Sequence, residues 1–373
     1  MTFEIVSTRA RFAELETDWA LLWERSGESI FQSHPWISAW WGAAAGRREP
    51  AGRIVLAWRD GQLVAALPLC VRRHRGLRVL EWAAKECSDY CDALVSPQDD
   101  RAATALALWE ASVAAGGYDL AYLSHLEPGG VAGELVGGLG PLALHHRGDV
   151  TLRVRSSWPS GKAWFDALPK KPRQNHKRGE RALEESGAAR IRLVEPGEPL
   201  GPMLNRLVSL KRDWLIRTSQ ASTLLQQQGL FEALVGVAST AGKLRLFVVE
   251  VDGEVVAGSV NFVDRDRLMA FFAAYDPAYE KASLGMLLMV HYIRWAFDQG
   301  LSEVDFLCGA EEYKRRFANA EVTLASAVAA ATLRGRAALA VDRTVDAFRT
   351  WRAGNAEPAE PRLRRSGPEV AGT

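Results

Sequence analysis

The sequence predicts an α/β protein built from two successive halves, and three observations support this. Its 373 residues exceed the size at which a single hydrophobic core keeps growing, so two domains are expected. Both halves contain a strand–turn–strand pattern, with Asp60-Gly61 and Asp252-Gly253 at the turns. In each half a further strand and a helix follow the hairpin, which indicates a duplicated fold.

The N-terminal half is expected to begin with helices, because Phe12, Leu15 and Trp19 recur at helical spacing. A second helix is predicted from Pro35, since proline suits the first turn of a helix. Apolar runs bounded by turn residues predict strands, and one longer helix follows. The predicted elements are helices 8–26, 35–45 and 101–115 and strands 53–58, 63–71, 78–82, 93–95 and 120–123. Glycine and proline predict an irregular connection over 127–149.

The C-terminal half opens with a basic, largely helical stretch over 162–186, with a break expected at Pro169–Pro172. Further strands and helices alternate after it. They are strands 190–194, 244–251, 254–263, 267–274 and 303–306 and helices 200–217, 223–240 and 284–299. We therefore place the domains at 1–150 and 151–353, with a disordered tail at 354–373, where proline and charge dominate.

Composition narrows the class of protein. Lys and Arg total 46 against 45 Asp and Glu, a net charge of +1, which does not suit a DNA-binding protein. Four scattered cysteines and an N-terminus without a signal-peptide pattern favour a cytoplasmic location. The helix expected over 332–352 mixes apolar residues with arginines. It is interpreted as a packed helix, and association with a membrane surface is the alternative. The sequence does not determine the oligomeric state.

The most informative segment runs from 275 to 317. A strand ends at Tyr275, and a loop with Ser283 and Gly285 then opens a helix. Such a junction directs free backbone N–H groups and the positive end of the helix dipole at one point, which suits an anion such as pyrophosphate. The alternative is that Ser283 is only a helix cap and Gly285 only a first-turn residue.

The order of several motifs resembles one family. They are Tyr-Asp-Pro at 275–277, the glycine-containing loop, and V-D-F-L-x-G-x-E-x-Y-K-x-x-F at 304–317; the N-terminal half adds F-Q-S-H-P-W at 31–36, W-W at 40–41, L-P-L at 67–69 and D-Y-x-D at 89–92. Together with the basic helix that carries Arg173 and Arg181, they resemble the GNAT-superfamily branch related to CelD-like, cellulose-biosynthesis-associated acetyltransferases. That branch is similar to the FemAB aminoacyltransferases, and the resemblance spans about residues 3–350.

This resemblance implies two tandem GNAT-like domains and transfer of an acyl group to an amine. The implied co-substrate is acyl-CoA, most simply acetyl-CoA, and the loop that would bind it comprises Ser283, Leu284, Gly285, Met286 and Leu287. Ala282 and Leu287 stand where the family has a polar and a small residue, so an aminoacyl-tRNA donor stays open. The implied acceptor is a small-molecule or sugar-linked amine, such as an amino-sugar in cell-surface polysaccharide synthesis. A non-catalytic nucleotide-binding module is a further alternative.

The candidate catalytic residues are Asp305, Glu311 and Lys314. Asp305 ends a strand, where open α/β sheets place ligand groups, and is the first candidate to position or deprotonate the amine; Glu311 is the second. By resemblance to the FemAB segment, Lys314 is a candidate for binding phosphate or stabilising negative charge. The alternatives are a buried hydrogen-bond partner for Asp305 and a solvent-facing side chain for Lys314.

Six further residues are candidates for binding substrate: Asp89, Tyr90, Asp92, Arg173, Tyr275 and Tyr313. Asp89, Tyr90 and Asp92 would approach the acceptor from the N-terminal half, although simple turn chemistry would also explain them. Arg173 lies on a basic helix that suits phosphate groups, or whose cations pair with Glu180, Glu184 and Glu185. No metal site is predicted, because Cys87 and Cys91 lack a matching Cys/His pair.

Overall fold

The chain folds into two mixed β-sheets that are covered by helices. The computed structural model describes residues 1–44, 49–136, 141–145 and 149–342. The first half contains α1 (Arg9–Ala13), α2 (Glu16–Ser26), α3 (His34–Ala43) and α4 (Arg101–Ala114), with strands β1 (Thr2–Val6), β2 (Ala51–Arg59), β3 (Gln62–His74), β4 (Leu77–Trp82), β5 (Leu94–Val95), β6 (Leu120–Leu126) and β7 (Ala143–His145).

The second half is richer in helix. Its helices are α5 (Gly161–Ala167), α6 (Lys170–Glu184), α7 (Leu200–Thr218), α8 (Thr223–Gln226), α9 (Leu230–Thr240), α10 (Leu284–Asp298) and α11 (Glu312–Arg315). Its strands are β8 (Val150–Arg155), β9 (Ala189–Leu193), β10 (Leu244–Val251), β11 (Glu254–Asp264), β12 (Arg267–Tyr275), β13 (Glu303–Cys308), β14 (Ala320–Thr323) and β15 (Ala325–Ala330).

The two sheets have the same strand order. The first runs β1-β2-β3-β4-β6-β15-β7, with β5 paired to β3, and the second, taken from the opposite edge, runs β9-β10-β11-β12-β13-β8-β14. In both sheets the fourth and fifth strands form the parallel pair. This agreement confirms the duplicated α/β fold that the two hairpins predict.

One strand of the second half, β15, lies in the first sheet. β8 follows β7 along the chain but lies in the second sheet, whereas β15 follows β14 but returns to the first sheet, between β6 and β7. The first sheet is therefore completed by a strand from the second half of the chain. The domain boundary at 150 stays a prediction, and β15 crosses it.

Most predicted elements are present with small shifts. The break at Pro169–Pro172 is confirmed, since α5 ends at Ala167 and α6 begins at Lys170. The single helix expected over 8–26 is wrong, because α1 and α2 are separate, and the helix over 223–240 is likewise divided into α8 and α9. The irregular connection over 127–149 contains a 3-10 turn at Val131–Leu135 and strand β7.

An apolar core shared by both halves holds the two sheets together. Helix α3 packs against α9, and the Trp36 ring contacts Phe262 and Phe271 of the second sheet, with centroids 5.8 and 5.7 Å apart. Trp36 is fully buried. Burial of this kind is the main favourable term in folding, so the halves form one body rather than two loosely linked domains.

The C-terminal predictions lie only partly within the described residues. Residues 333–342 are helical, and the rest of the helix expected over 332–352 lies outside the described part, as does the tail at 354–373. Over the described ranges, no helix combines the length and the apolar character needed to cross a membrane.

Candidate active site

A wedge-shaped opening separates the ends of β12 and β13. The two parallel strands pair only at Arg267–Glu303, Leu268–Val304 and Met269–Asp305, after which β12 continues to Tyr275 without pairing to β13. The cause is a bulge in β13, where Leu307 has a φ of 57° and the pairing with β8 shifts register after Asp305. A bulge bends its strand away from the neighbour, so backbone groups at this edge are left for a ligand.

The start of α10 is open beside this wedge. Ser283 precedes the helix in a left-handed conformation (φ 53°), and its side chain makes no capping hydrogen bond. Within the described structure, the N–H groups of Leu284 and Gly285 have no acceptor, whereas those of Met286 and Leu287 bond to the carbonyl of Ser283. Free N–H groups at a helix start suit an anion. The Gly285 position also borders Tyr275, whose ring would lie 3.7 Å from an added Cβ.

The five residues of the predicted donor loop divide into two groups. The side chains of Leu284 and Leu287 are buried, 2% and 1% exposed, and anchor α10 to the core. Ser283 is exposed, and Gly285 and Met286 are half-buried. The buried leucines can therefore offer a ligand only their backbone, and the large residue at 287 does not enlarge the surface at the helix start.

Helix α6 places positive charge next to the start of α10. It packs so closely on the turn before α10 that a Cβ at Gly179 would lie 2.5 Å from the carbonyl oxygen of Ala282. Six cationic side chains on α6 form no ion pair with any described residue: Lys170, Lys171, Arg173, Lys177, Arg178 and Arg181. The expected alternative, pairing with Glu180, Glu184 and Glu185, is not seen among the described contacts, where Glu180 pairs with His176.

Lys314 is buried at the end of β13 rather than facing solvent. Its Nζ donates to the carbonyl oxygens of Cys308 (3.0 Å) and Gly309 (3.4 Å) and lies 2.8 Å from Oε2 of Glu311. An ammonium group has three hydrogens, and these three contacts engage them all. Lys314 therefore holds the loop after β13 in place, and Glu311 supplies its counter-charge.

Lys211 is a residue at this site that the sequence did not single out. Its Nζ lies 4.4 Å from the centroid of the Trp214 ring and 5.8 Å from that of Phe272, and it is electrostatically coupled to Glu311 and Lys314. Burial lowers the pKa of Lys211. Residues of α7 show no local motif, so only the packing of this helix on β12 brings Lys211 to the site.

Asp305 lies in a network that joins the two halves. Its side chain is fully buried, and Oδ2 accepts hydrogen bonds from the Tyr90 hydroxyl (2.5 Å) and from Arg267 Nη1 (3.1 Å). Oδ2 also lies 3.2 Å from Arg153 Nε, and Oδ1 accepts from the N–H of Leu307 at 2.8 Å. This placement suits the buried hydrogen-bond partner that was the alternative for Asp305. A role as base stays a prediction.

The three candidates of the first half have different partners. Tyr90 reaches Asp305, as described, and burial raises the pKa of its phenol well above the usual value. Asp89 accepts a hydrogen bond from the N–H of Cys308 at 3.0 Å. Asp92 accepts from the N–H groups of Val131 and Ala132 and so caps the turn that follows, which fits turn chemistry. Asp89 and Tyr90 thus lie at the end of β13, and Asp92 lies with the first half.

Tyr275 and Tyr313 are the aromatic side chains exposed at the wedge, at 42% and 46%. Burial of its hydroxyl end, with the nearby charge of Glu311, raises the pKa of Tyr313 to about 12. Tyr313 therefore keeps its proton at neutral pH and remains a hydrogen-bond donor. The substrate-binding role of Tyr275, Tyr313 and Arg173 stays a prediction; Arg173 lies on the neighbouring α6.

Part of the chain is similar to a known protein family. Residues 170–315 match a family described as an acetyltransferase (GNAT) domain. That range includes α6, the wedge and the start of α10. No functionally curated protein matches the sequence.

Several solved structures share the fold. The crystal structure of FemX superposes with a TM-score of 0.57 at 10% identity, over 87% of this chain and 97% of that one. The C-terminal domain of a protein described as a lysylphosphatidylglycerol synthetase of Agrobacterium fabrum gives 0.55 at 13% identity, over 91% and 97%. A protein of unknown function from Bacteroides thetaiotaomicron gives 0.53 at 11%, over 87% and 99%. The fold is thus a tandem GNAT-like one, and the range similar to an acetyltransferase (GNAT) domain, 170–315, includes five strands of the second sheet.

Proposed function

We propose that this chain is an N-acyltransferase that moves an acyl group, acetyl in the simplest case, from acyl-CoA to an amine. The observation that carries the proposal is the wedge between β12 and β13 with the open start of α10 beside it. A thioester carbonyl inserted into the wedge would meet unpaired backbone groups of β12, and the phosphates of the donor would meet the N–H groups of Leu284 and Gly285. The match to a GNAT domain supports an acyl-CoA or related donor.

The acceptor enters in this proposal from the side of the first half. Asp89 and Tyr90 lie at the end of β13, so the amine would be bound between the halves while the donor is held by the second half alone. Bringing both reactants to one place accounts for much of the rate enhancement in a direct transfer. An amino-sugar of cell-surface polysaccharide synthesis is the acceptor we propose, on the basis of the motif resemblance.

One observation favours a second candidate donor, aminoacyl-tRNA. The six cations of α6 that form no ion pair with a described residue outnumber the three phosphate groups of CoA, and a nucleic acid would engage more of them. The two donors differ in salt dependence. Binding through many phosphates weakens steeply with salt, whereas binding of a single CoA weakens less.

Calorimetry with acetyl-CoA tests the proposal. We expect micromolar binding by the wild-type chain and loss of binding in Gly285→Glu, because the carboxylate would occupy the anion position. Gly285→Ala is the matched control, since its Cβ would make only ordinary contacts with Tyr275, at 3.7 and 3.8 Å. Transfer is then followed as thiol release from acetyl-CoA with a panel of amines that includes glucosamine. An absence of binding to any CoA thioester by folded wild-type protein would refute the CoA-dependent reaction and favour the tRNA donor.

A further inference from the structure

Lys211 lies beside the wedge and has no anionic partner in hydrogen-bond contact among the described residues. Its Nζ instead lies against two aromatic rings, 4.4 Å from the centroid of Trp214 and 5.8 Å from that of Phe272. Ring faces attract an ammonium group, but they do not satisfy its hydrogens as a carboxylate oxygen would. The side chain is half-buried, so these hydrogens remain available to a ligand.

The neighbours of Lys211 come from both strands that border the wedge. Phe272 belongs to β12 and lies beyond Met269, where the pairing of that strand with β13 ends. The two charged groups that act on Lys211, Glu311 and Lys314, belong to the segment that follows β13. The ammonium group of Lys211 is therefore placed next to the opening by packing on one strand and by charge from the other.

Lys211 lies on the face of the second sheet that is opposite to the predicted donor loop. Met269 and Phe272 pack in the core that α7 shares with the first half, whereas Leu268 packs in the core that contains α10. The donor phosphates, which bind at the start of α10 in the proposed function, would thus lie on the other face. An anionic group at Lys211 would come from the acceptor, which enters from the side of the first half.

The charges around Lys211 indicate which anion would fit. Nζ of Lys314 lies 2.8 Å from Oε2 of Glu311, so these two groups neutralise each other. Lys211 adds one further positive charge, and burial lowers its pKa because water no longer fully solvates the ammonium form. A bound anion would stabilise that form again. One excess positive charge matches a carboxylate, with a single negative charge, better than a phosphate monoester, with about two.

We propose that Lys211 binds a carboxylate of the acceptor, so that the substrate is an amine carrying a carboxylate: an amino-sugar acid or an amino acid. This inference rests on the proposed function and narrows its acceptor. The rings of Trp214 and Phe272 hold Nζ in place, and the carboxylate accepts its hydrogens while the amine of the same molecule reaches the wedge. A neutral amine would leave Lys211 without a partner and would bind more weakly.

Two pairs of amines that differ in one carboxylate test the proposal. Glucosaminuronic acid is compared with glucosamine, and alanine with alaninamide, each with acetyl-CoA as donor. In at least one pair, we expect the wild-type kcat/KM for the carboxylate-bearing amine to be higher by about thirtyfold, mainly through KM, as a hydrogen bond between charged groups implies. The pair that shows this difference identifies the acceptor as a sugar acid or an amino acid.

Substitutions at Lys211 connect this preference to one side chain. Lys211→Met retains the length of the side chain and should abolish the preference by raising KM for the carboxylate-bearing amine, with the neutral amine little affected. Lys211→Arg retains the charge and should restore part of the preference. Arg212→Met is the matched control, because it removes a positive charge from an exposed position of the same helix. A preference that persists in Lys211→Met, equal use of both amines by wild type, or faster transfer to glucosamine 6-phosphate than to glucosaminuronic acid would overturn the proposal.

Chemical labelling of lysines separates this inference from the proposed function. Acetic anhydride modifies accessible lysines, and mass spectrometry reports the extent at each of them. N-acetylalanine or N-acetylglucosaminuronic acid, the expected products, should protect Lys211 but not the exposed Lys171, and N-acetylalaninamide should protect neither. Absence of transfer by wild type to any amine would refute the proposed function, whereas Lys211 left unprotected by both carboxylates would refute the carboxylate site.

Discussion

The two halves share a strand order but differ at the helix that follows their fourth strand. In the second half α10 begins without a side-chain cap, and two of its N–H groups have no acceptor among the described residues. In the first half α4 begins at Asp100, whose carboxylate accepts from the N–H of Ala103 at 2.9 Å. A carboxylate at a helix start stabilises the helix and repels a second anion. The first half therefore caps the helix position that the second half leaves uncapped.

The opening beside the fifth strand differs in the same way. In the first half the backbone N–H of Cys91 donates to the carbonyl oxygen of His125 at 3.1 Å. This hydrogen bond connects the residues that follow β4 to the end of β6. The chain after β12 instead turns away at Asp276 and leads to the open start of α10. The opening between the fourth and fifth strands is thus filled in the first half and stays open in the second half. Duplication provides the scaffold twice, and the donor site that we propose uses the second copy.

The central strands give the largest expected difference. Two residues before the bulge, β6 has the buried Leu123 and β13 has the buried Asp305. Asp305→Ala should lower the free energy of unfolding by about 3 kcal/mol, because Arg153 and Arg267 would lose their fully buried partner and keep only Glu127 and Glu303. Urea unfolding of the wild-type protein and of Asp305→Ala measures this difference in free energy. Asp305→Asn should cost less, since the amide still accepts hydrogen bonds. An unchanged stability with slow turnover would return Asp305 to the chemistry, as the sequence first suggested.

Substitution of Lys314 should lower the free energy of unfolding by less, because its contacts lie at the end of β13. Lys314→Met retains the length of the side chain but removes the contacts to two carbonyl oxygens and to Glu311. We expect unfolding to become easier by about 2 kcal/mol, the range for hydrogen bonds to a charged group. Thermal unfolding with Lys281→Met as an exposed control measures it. Wild-type stability in Lys314→Met with lost turnover would show a catalytic lysine instead.

Hairpins and amphipathic helices could be predicted because their partners are close in sequence. The strands β10, β11 and β12 form consecutive antiparallel pairs, and their apolar runs and turn residues predict these pairs. The strand β15 was missed because its residues are mostly alanine and its partners, β6 and β7, lie far back in the chain. Nothing local distinguishes a strand that changes sheets from one that stays in its own.

The same limit applies to the candidate site. The start of α10 was predictable, since loop and helix are adjacent in sequence. The partners of Asp305 were not, because Tyr90, Arg153 and Arg267 come from other elements. Arg153 in particular lies on β8, which pairs with β13 far along the chain, and had no motif to mark it. A residue type can suggest chemistry, but its partners decide whether the group is free to perform it.

Removing the cap of the first half should have the smallest effect. Asp100→Ala loses the hydrogen bond to Ala103 and the favourable charge at the start of α4, so the free energy of unfolding should fall by about 1 kcal/mol. In Asp100→Asn, whose side chain still caps the helix, the free energy of unfolding should fall by less. Acetyl-CoA binding should be unchanged in both, because the site of the second half does not include α4. A second binding event appearing in Asp100→Ala would show that the carboxylate alone excludes an anion there, and that the first half is closed by one side chain rather than by its filled opening.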